Sequence, residues 1–405
     1  MNASTNGTQH VMQGWTSSPD QRGTIDILFS CCLTTLLCCW TSVCPNVPAK
    51  NDSKWMQLQD KMNLAFMGLL GPEFLLMLAL GQWASARRSV KMFRAAGYEQ
   101  WTMTHAFFAD MGGIMLQTPG YPEFPVDAEQ LYYLIDKRYI EYPDIHKADI
   151  DDKNKSDGLA RLITVCQTLW FTISCVARPL QSLSLTTIEL TTLSFILLYL
   201  FISFAWRHKP IDVSRPLTLH TTTPISRIHS EGPPSARAPT KAWGLDFISR
   251  REYFMSLFWS YFTNLAYTLH IPLIHLFTRR ITSRPHDRIR TDHFAATDAL
   301  SEVLSAPLIG AYAVIFALAW DFEFPSRVEQ MLWRASSHDE LWRFETFNVA
   351  EGKKSSHDDT GSRGVVDDAV RRGVEEYVAR PRPASGDPAF GDCAYYDDLC
   401  GILLV

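Results

Sequence analysis

Apolar residues gather into a few long runs separated by strongly polar stretches. A helix needs about 18 or more apolar residues to cross ~30 Å of hydrocarbon. Runs of this length fall at Thr24 to Val43, Met62 to Trp83, Leu185 to Trp206, Tyr253 to Phe277 and Val303 to Trp320, and a shorter one at Leu162 to Val176 is counted with them. Backbone polar groups in lipid must be satisfied within their own segment, so the runs predict helices. Gly71-Pro72-Glu73 interrupts the second run, and His270 and Pro272 break the fifth. His105 to Gln117 is short and polar for a span, and reads as a doubtful seventh element, re-entrant or interfacial. The pattern predicts an all-α polytopic transmembrane helix bundle with six spans plus one doubtful.

The polar stretches divide the chain further. Residues 1–23 lack the basic region and small-residue cleavage site of a secretory signal, so insertion is expected to use the first uncleaved helix. The bundle is expected over 24–335, with a Pro-, Ser- and Arg-rich solvated linker at about 207–250. Residues 336–405 are dominated by Asp, Gly, Arg and Ser and read as a disordered tail.

Average composition hides this segregation, since 46% hydrophobic and 20% charged residues are ordinary values. A net charge of −5 and the lack of a glycine-rich phosphate loop argue against nucleic acid and against a nucleotide cofactor. Of nine cysteines, Cys31, Cys32, Cys38, Cys39 and Cys44 lie in or beside the first helix, with no CxxC and no histidine at metal spacing. They read as small packing residues, not as metal ligands. The acidic run Asp149, Asp151, Asp152 and Asp157 does not reproduce a DDxxD box and has no second acidic partner motif, so it reads as a solvated loop.

Orientation stays open at this level. Arg87, Arg88, Lys91 and Arg94 argue for a cytosolic loop after the second run. The basic stretches Arg207 to Arg251 and Arg279 to Arg290 flank one apparent span, so either that span does not simply cross or the charge rule fails. Sequons at Asn2, Asn6, Asn51 and Asn154 cannot all be lumenal.

Ionisable groups inside apolar runs are costly and tend to mark function. Glu73 and Glu189 are the two clearest, with Asp110 and Asp321 in second rank near helix ends. A buried acid with a raised pKa can protonate an olefin or epoxide and start a cation without a metal. Trp170, Phe171, Tyr199, Trp259 and Phe262 could offer aromatic faces to that cation. For either glutamate, an interhelical hydrogen bond that holds the bundle is the competing reading. A membrane acyltransferase is a rival, because His105 and Asp110 have the His-x4-Asp spacing that can deprotonate a hydroxyl. A scaffold or transporter-like protein would also keep a Gly-Pro break and buried glutamates, although no inverted repeat is visible.

Several short motifs recur together. Trp15, Pro19, Arg22-Gly23-Thr24 and Asp26 lead into the first run, which ends Cys39-Trp40-Thr41 before Asn46-Val47-Pro48. Gly71-Pro72-Glu73 and Gln82-Trp83 come next, then Asp152 to Asp157, Gln167 to Phe171, Arg178 and Glu189. Trp206 to Val213, Phe324-Pro325, Glu329 and Leu332-Trp333-Arg334 complete the set. From Trp15 to Arg334 the chain resembles a large family of fungal multi-spanning membrane proteins. Some proteins of this kind look like integral-membrane terpene cyclases of meroterpenoid biosynthesis. The resemblance implies a lipid-embedded protein of the endoplasmic reticulum or another endomembrane, with a hydrophobic isoprenoid substrate. Family members usually continue with further spans after the Leu-Trp-Arg motif, whereas a polar tail follows Arg334 here and reads as a truncated or misread end.

Overall fold

A computed structural model describes residues 23–153, 158–180, 185–211, 213, 215–232, 245, 248, 254–269, 287–295, 297–320, 322, 324 and 327–337. Contacts divide the chain into Met1–Thr346 and Phe347–Val405. The second unit, and with it most of the expected tail, lies outside the described residues.

The first unit is mostly helical: α1 (Thr24–Ser42), α2 (Lys54–Leu70), α3 (Pro72–Ala95), α4 (Met103–Asp110), α5 (Ala128–Asp136), α6 (Lys147–Lys153), α7 (Gly158–Leu180), α8 (Thr187–Ala205), α9 (Ile225–Glu231), α10 (Phe254–Thr268) and α11 (Ala299–Leu318). A further helix covers 327–337. Four of these are long and apolar enough to cross a membrane: α1, α7, α8 and α11. In the middle of them, α8 packs against α1, α3, α7 and α11. Large apolar side chains point outward from the same helices, such as Phe29 of α1 at 66% exposure and Trp170 of α7 at 69%. That is the arrangement a hydrocarbon solvent favours.

Of the six expected spans, the first, third, fourth and sixth are matched by these four helices, and the second and fifth runs differ from straight spans among the described residues. Gly71 has an extended backbone (φ −159°, ψ 84°), and Pro72 opens α3 where its missing N–H costs nothing. The result is a 120° bend between α2 and α3 in place of one straight span. Among the described residues the fifth run is helical only over Phe254–Thr268, fifteen residues, which is short for a crossing. Its remainder, 270–277, lies outside the described residues.

The doubtful seventh element is no span either. His105 to Gln117 divides into the last turns of α4 and the strand β1 (Ile114–Thr118). Pro119-Gly120, with Gly120 at φ +73°, turns the chain into β2 (Tyr121–Pro125). The strand β3 (Leu217–His220) joins β1 in parallel with Ile114 opposite Leu217, and the sheet order is β2-β1-β3. An all-α description is therefore corrected by a small mixed sheet. The linker expectation changes as well, because the segment expected to be solvated buries Lys209, Ile211 and Val213 and carries β3 and α9.

The sheet, α4, α5, α6, α9 and the C-terminal half of α3 form a cap at one end of the helices. Its core includes Phe93, Trp101, Phe107, Phe108, Leu116, Leu131 and Ile228, each almost fully buried. Phe93 stacks on Trp101 at 4.1 Å between ring centroids, so α3 and the start of α4 are locked together.

Candidate functional site

Where α8 emerges into the cap, Trp206 and Lys209 turn inward. Lys209 is 4% exposed. Its ammonium donates to Asn46 Oδ1 and to Gln82 Oε1, both at 2.9 Å, and lies 5.0 Å from the centre of the Trp206 ring. The Trp206 indole N–H donates to the same Gln82 oxygen at 3.0 Å. Asn46 in turn donates from Nδ2 to the Arg290 carbonyl at 3.0 Å. A buried cation is costly unless its donors are satisfied, and this layer satisfies it with neutral carbonyls and an aromatic face. Burial still pushes the Lys209 ammonium down to about 8, with Cys44 and Asp110 opposing that shift.

Asp110 closes α4 beside this layer. Its Oδ1 accepts the Ala128 N–H at 3.0 Å, at the start of α5. The residue is partly exposed as a whole, but Oδ2 is enclosed and makes no hydrogen bond of full strength. Loss of water pushes the carboxyl up to about 7, helped by the charge of Asp127, while the Ala128 N–H and the Ser85 hydroxyl pull the other way. Asp110 and Lys209 are thus an acid and a base whose pKa values have been driven towards each other from opposite sides.

Glu73 lies elsewhere, in the first turn of α3 beside the Gly71 break, and is 8% exposed. It is deeper than the lysine layer: Gly68 of the same bend accepts a 2.7 Å hydrogen bond from Tyr199, two turns before Trp206 on α8. Glu189 sits at the opposite end of α8, fully buried. Arg178 reaches its Oε1 at 2.6 Å, and the Thr186 N–H and hydroxyl donate to Oε2 at 3.1 and 2.9 Å. These contacts form a capping box and an ion pair that account for its burial. Asp321 lies outside the described residues. The candidate acids are therefore spread along the bundle.

The aromatic candidates are spread too. Phe171, Tyr199 and Trp259 are buried, whereas Trp170 and Phe262 face outward. His105 and Asp110 are five residues apart on α4, about 140° around the helix. Both ring nitrogens of His105 are engaged locally, Nδ1 with the Thr102 hydroxyl at 2.7 Å and Nε2 with the Ile145 carbonyl at 2.9 Å. No group of three or more His, Cys, Asp or Glu suited to a metal ion occurs among the described residues.

A family match covers residues 1–226, more than half of the chain. The chain belongs to DUF8562, a family of unknown function. No curated protein and no solved structure matches it. The DUF8562 region contains Glu73, Asp110, Glu189 and the Asn46, Gln82, Trp206 and Lys209 layer, and ends within α9. Asp321 and α11 lie beyond it. Lys209 is the residue that sequence reasoning missed, because a lysine just past a span reads as a solvated flank. The motifs Asn46-Val47-Pro48, Gln82-Trp83 and Trp206 to Lys209 were each visible, and the fold brings them to one point.

Proposed function

We propose that this chain is a multi-pass endomembrane protein of fungal secondary metabolism that cyclises a prenylated aromatic compound, or its epoxide, by protonation and without a metal. The observation that supports this reading is Asp110, an enclosed carboxyl pushed up to about 7. Such an acid still holds its proton near neutral pH and has the strength to deliver it in a transition state. Glu73 is a second buried acid, set beside a helix break deeper in the bundle. Surrounding helices with outward apolar faces suit delivery of an isoprenoid from the bilayer. Against the acyltransferase reading stands His105, whose ring nitrogens are engaged by the Thr102 hydroxyl and the Ile145 carbonyl.

A scaffold is the second reading, favoured by Glu189, whose contacts with Arg178 and Thr186 need no ligand. Microsomes containing the full chain, supplied with farnesylated aromatics and their epoxides, separate the two. Cyclised product is expected from the wild type, with turnover reduced by ~10²-fold or more in Asp110→Asn or Glu73→Gln. Absence of product from correctly inserted wild-type protein would leave the scaffold.

A further inference from the structure

The segment 287–298 touches both arms of the α2–α3 bend. Arg288 pairs with Asp60 in the second turn of α2 at 2.5 Å and with Asp52 just before that helix at 3.2 Å. On the other arm, a Cβ at Gly81 would stand 2.6 Å from the Ala295 carbonyl oxygen, and Arg87 approaches Asp298 at 3.6 Å. The mouths of α2 and α3 therefore open on the same face, and the 120° bend lies inside the bundle between them.

The same segment also reaches the start of α10. Ser256 accepts the Phe294 N–H at 2.9 Å, and Arg290 donates to Ser260 at 2.6 Å. Chain entering α10 and chain arriving at Asp287 thus lie on one face. That face is the cap face, because Asn46 binds Arg290 there, Val47 donates to Met111 at 3.0 Å, and Gly112 packs against Ile289.

Directions of the four long helices agree. Cys39 and Ser42 of α1 meet Tyr199 and Ser203 of α8, so these two run together towards the cap. The opposite course belongs to α7, whose Arg178 meets Glu189 at the far end. Starting beside Arg87 at the cap, α11 runs inward to stack Tyr312 on Phe195.

We infer that α2–α3 enters and leaves the bilayer on one face and that the start of α10 and Asp287 stand on that same face, so that among the described residues four helices cross, α1, α7, α8 and α11, with the cap and its lysine layer in the cytosol. The sign of the face follows from charge: all three basic stretches, around Arg87–Arg94, Arg207–Arg251 and Arg279–Arg290, then border the same side. An arrangement with six straight spans leaves one of them on the wrong side. The inference stands independently of any catalytic reading.

The test is cysteine accessibility in sealed microsomes, with the full chain carrying Cys393→Ser and Cys400→Ser and a membrane-impermeant maleimide added outside. Single substitutions Lys54→Cys, Glu99→Cys, Arg215→Cys and Asp287→Cys are expected to label without detergent, and Glu329→Cys only after permeabilisation. Lys54→Cys and Glu99→Cys on opposite sides would make α2–α3 one span and overturn the inference. Protection of Arg215→Cys or Asp287→Cys, or labelling of Glu329→Cys from outside, would overturn it equally.

Discussion

Lys209 and Gln82, 127 positions apart in the chain, meet through a 2.9 Å hydrogen bond from ammonium to side-chain carbonyl. Because the Trp206 indole shares that carbonyl oxygen, both of its lone pairs are used. One amide therefore ties the end of α8 to the middle of α3, at the boundary between bundle and cap.

Replacing Lys209 by Met removes the donor from Asn46 and Gln82 while keeping most of the volume. Leaving buried acceptors unsatisfied costs ~1–3 kcal/mol, and a lower unfolding temperature in detergent is expected. The double variant Lys209→Met with Gln82→Leu should lose less than the sum of the two singles, since the partners act as a unit. Strict additivity would show that the layer does not couple α8 to α3.

Asp110 should leave a pH signature. Its native pKa of about 7 lies above the ordinary carboxylate value of 3.8, so the native state holds the proton more tightly than the unfolded chain. That stabilisation is complete below pH 3.8 and is lost as the pH rises through about 7. Relative to Asp110→Asn, which does not titrate, the wild type should lose stability across this window. Parallel stability curves for the two proteins would contradict the assignment.

At Glu189 the two conservative choices separate charge from capping. Glu189→Ala strands Arg178 and removes the acceptor for the Thr186 N–H, half of the capping box, a loss of roughly 3–5 kcal/mol for a broken buried pair. Glu189→Gln keeps an acceptor for Thr186 and should cost clearly less. Equal losses in the two variants, measured by thermal unfolding, would place the whole effect on the ion pair.

Gly81 tests the seam between α3 and the segment 287–298. A methyl group there would lie 2.6 Å from a backbone oxygen, which cannot rotate away as a side chain can. Gly81→Ala should destabilise by about 1–3 kcal/mol and raise proteolytic sensitivity near Ala295. An unchanged cleavage pattern and unfolding temperature would mean that the seam yields freely.

Elements whose cause is local were legible from the residues alone. Long apolar runs with no charge in their middle announced α1, α7, α8 and α11 as helices long and apolar enough to cross a membrane, because an unpaired peptide group in hydrocarbon is too costly. The Thr186 to Glu189 capping box and the Asp26 carboxylate that accepts the Gly23 N–H at 3.0 Å also have local causes, although Glu189 reads from the residues as an acid inside a span. The Gly71-Pro72 break could be seen, but not its consequence. Whether a break kinks a span or folds it back depends on what holds the two arms, and here that is Arg288 on one and Ala295 with Asp298 on the other, more than 200 residues on. The sheet depended on distance in the same way, since β1 and β3 pair across about a hundred residues and neither is long enough to signal itself. Lys209 is the sharpest case. By residue type it belongs in water, and only a tertiary arrangement that delivers Asn46, Gln82 and Trp206 to its ammonium lets it be buried.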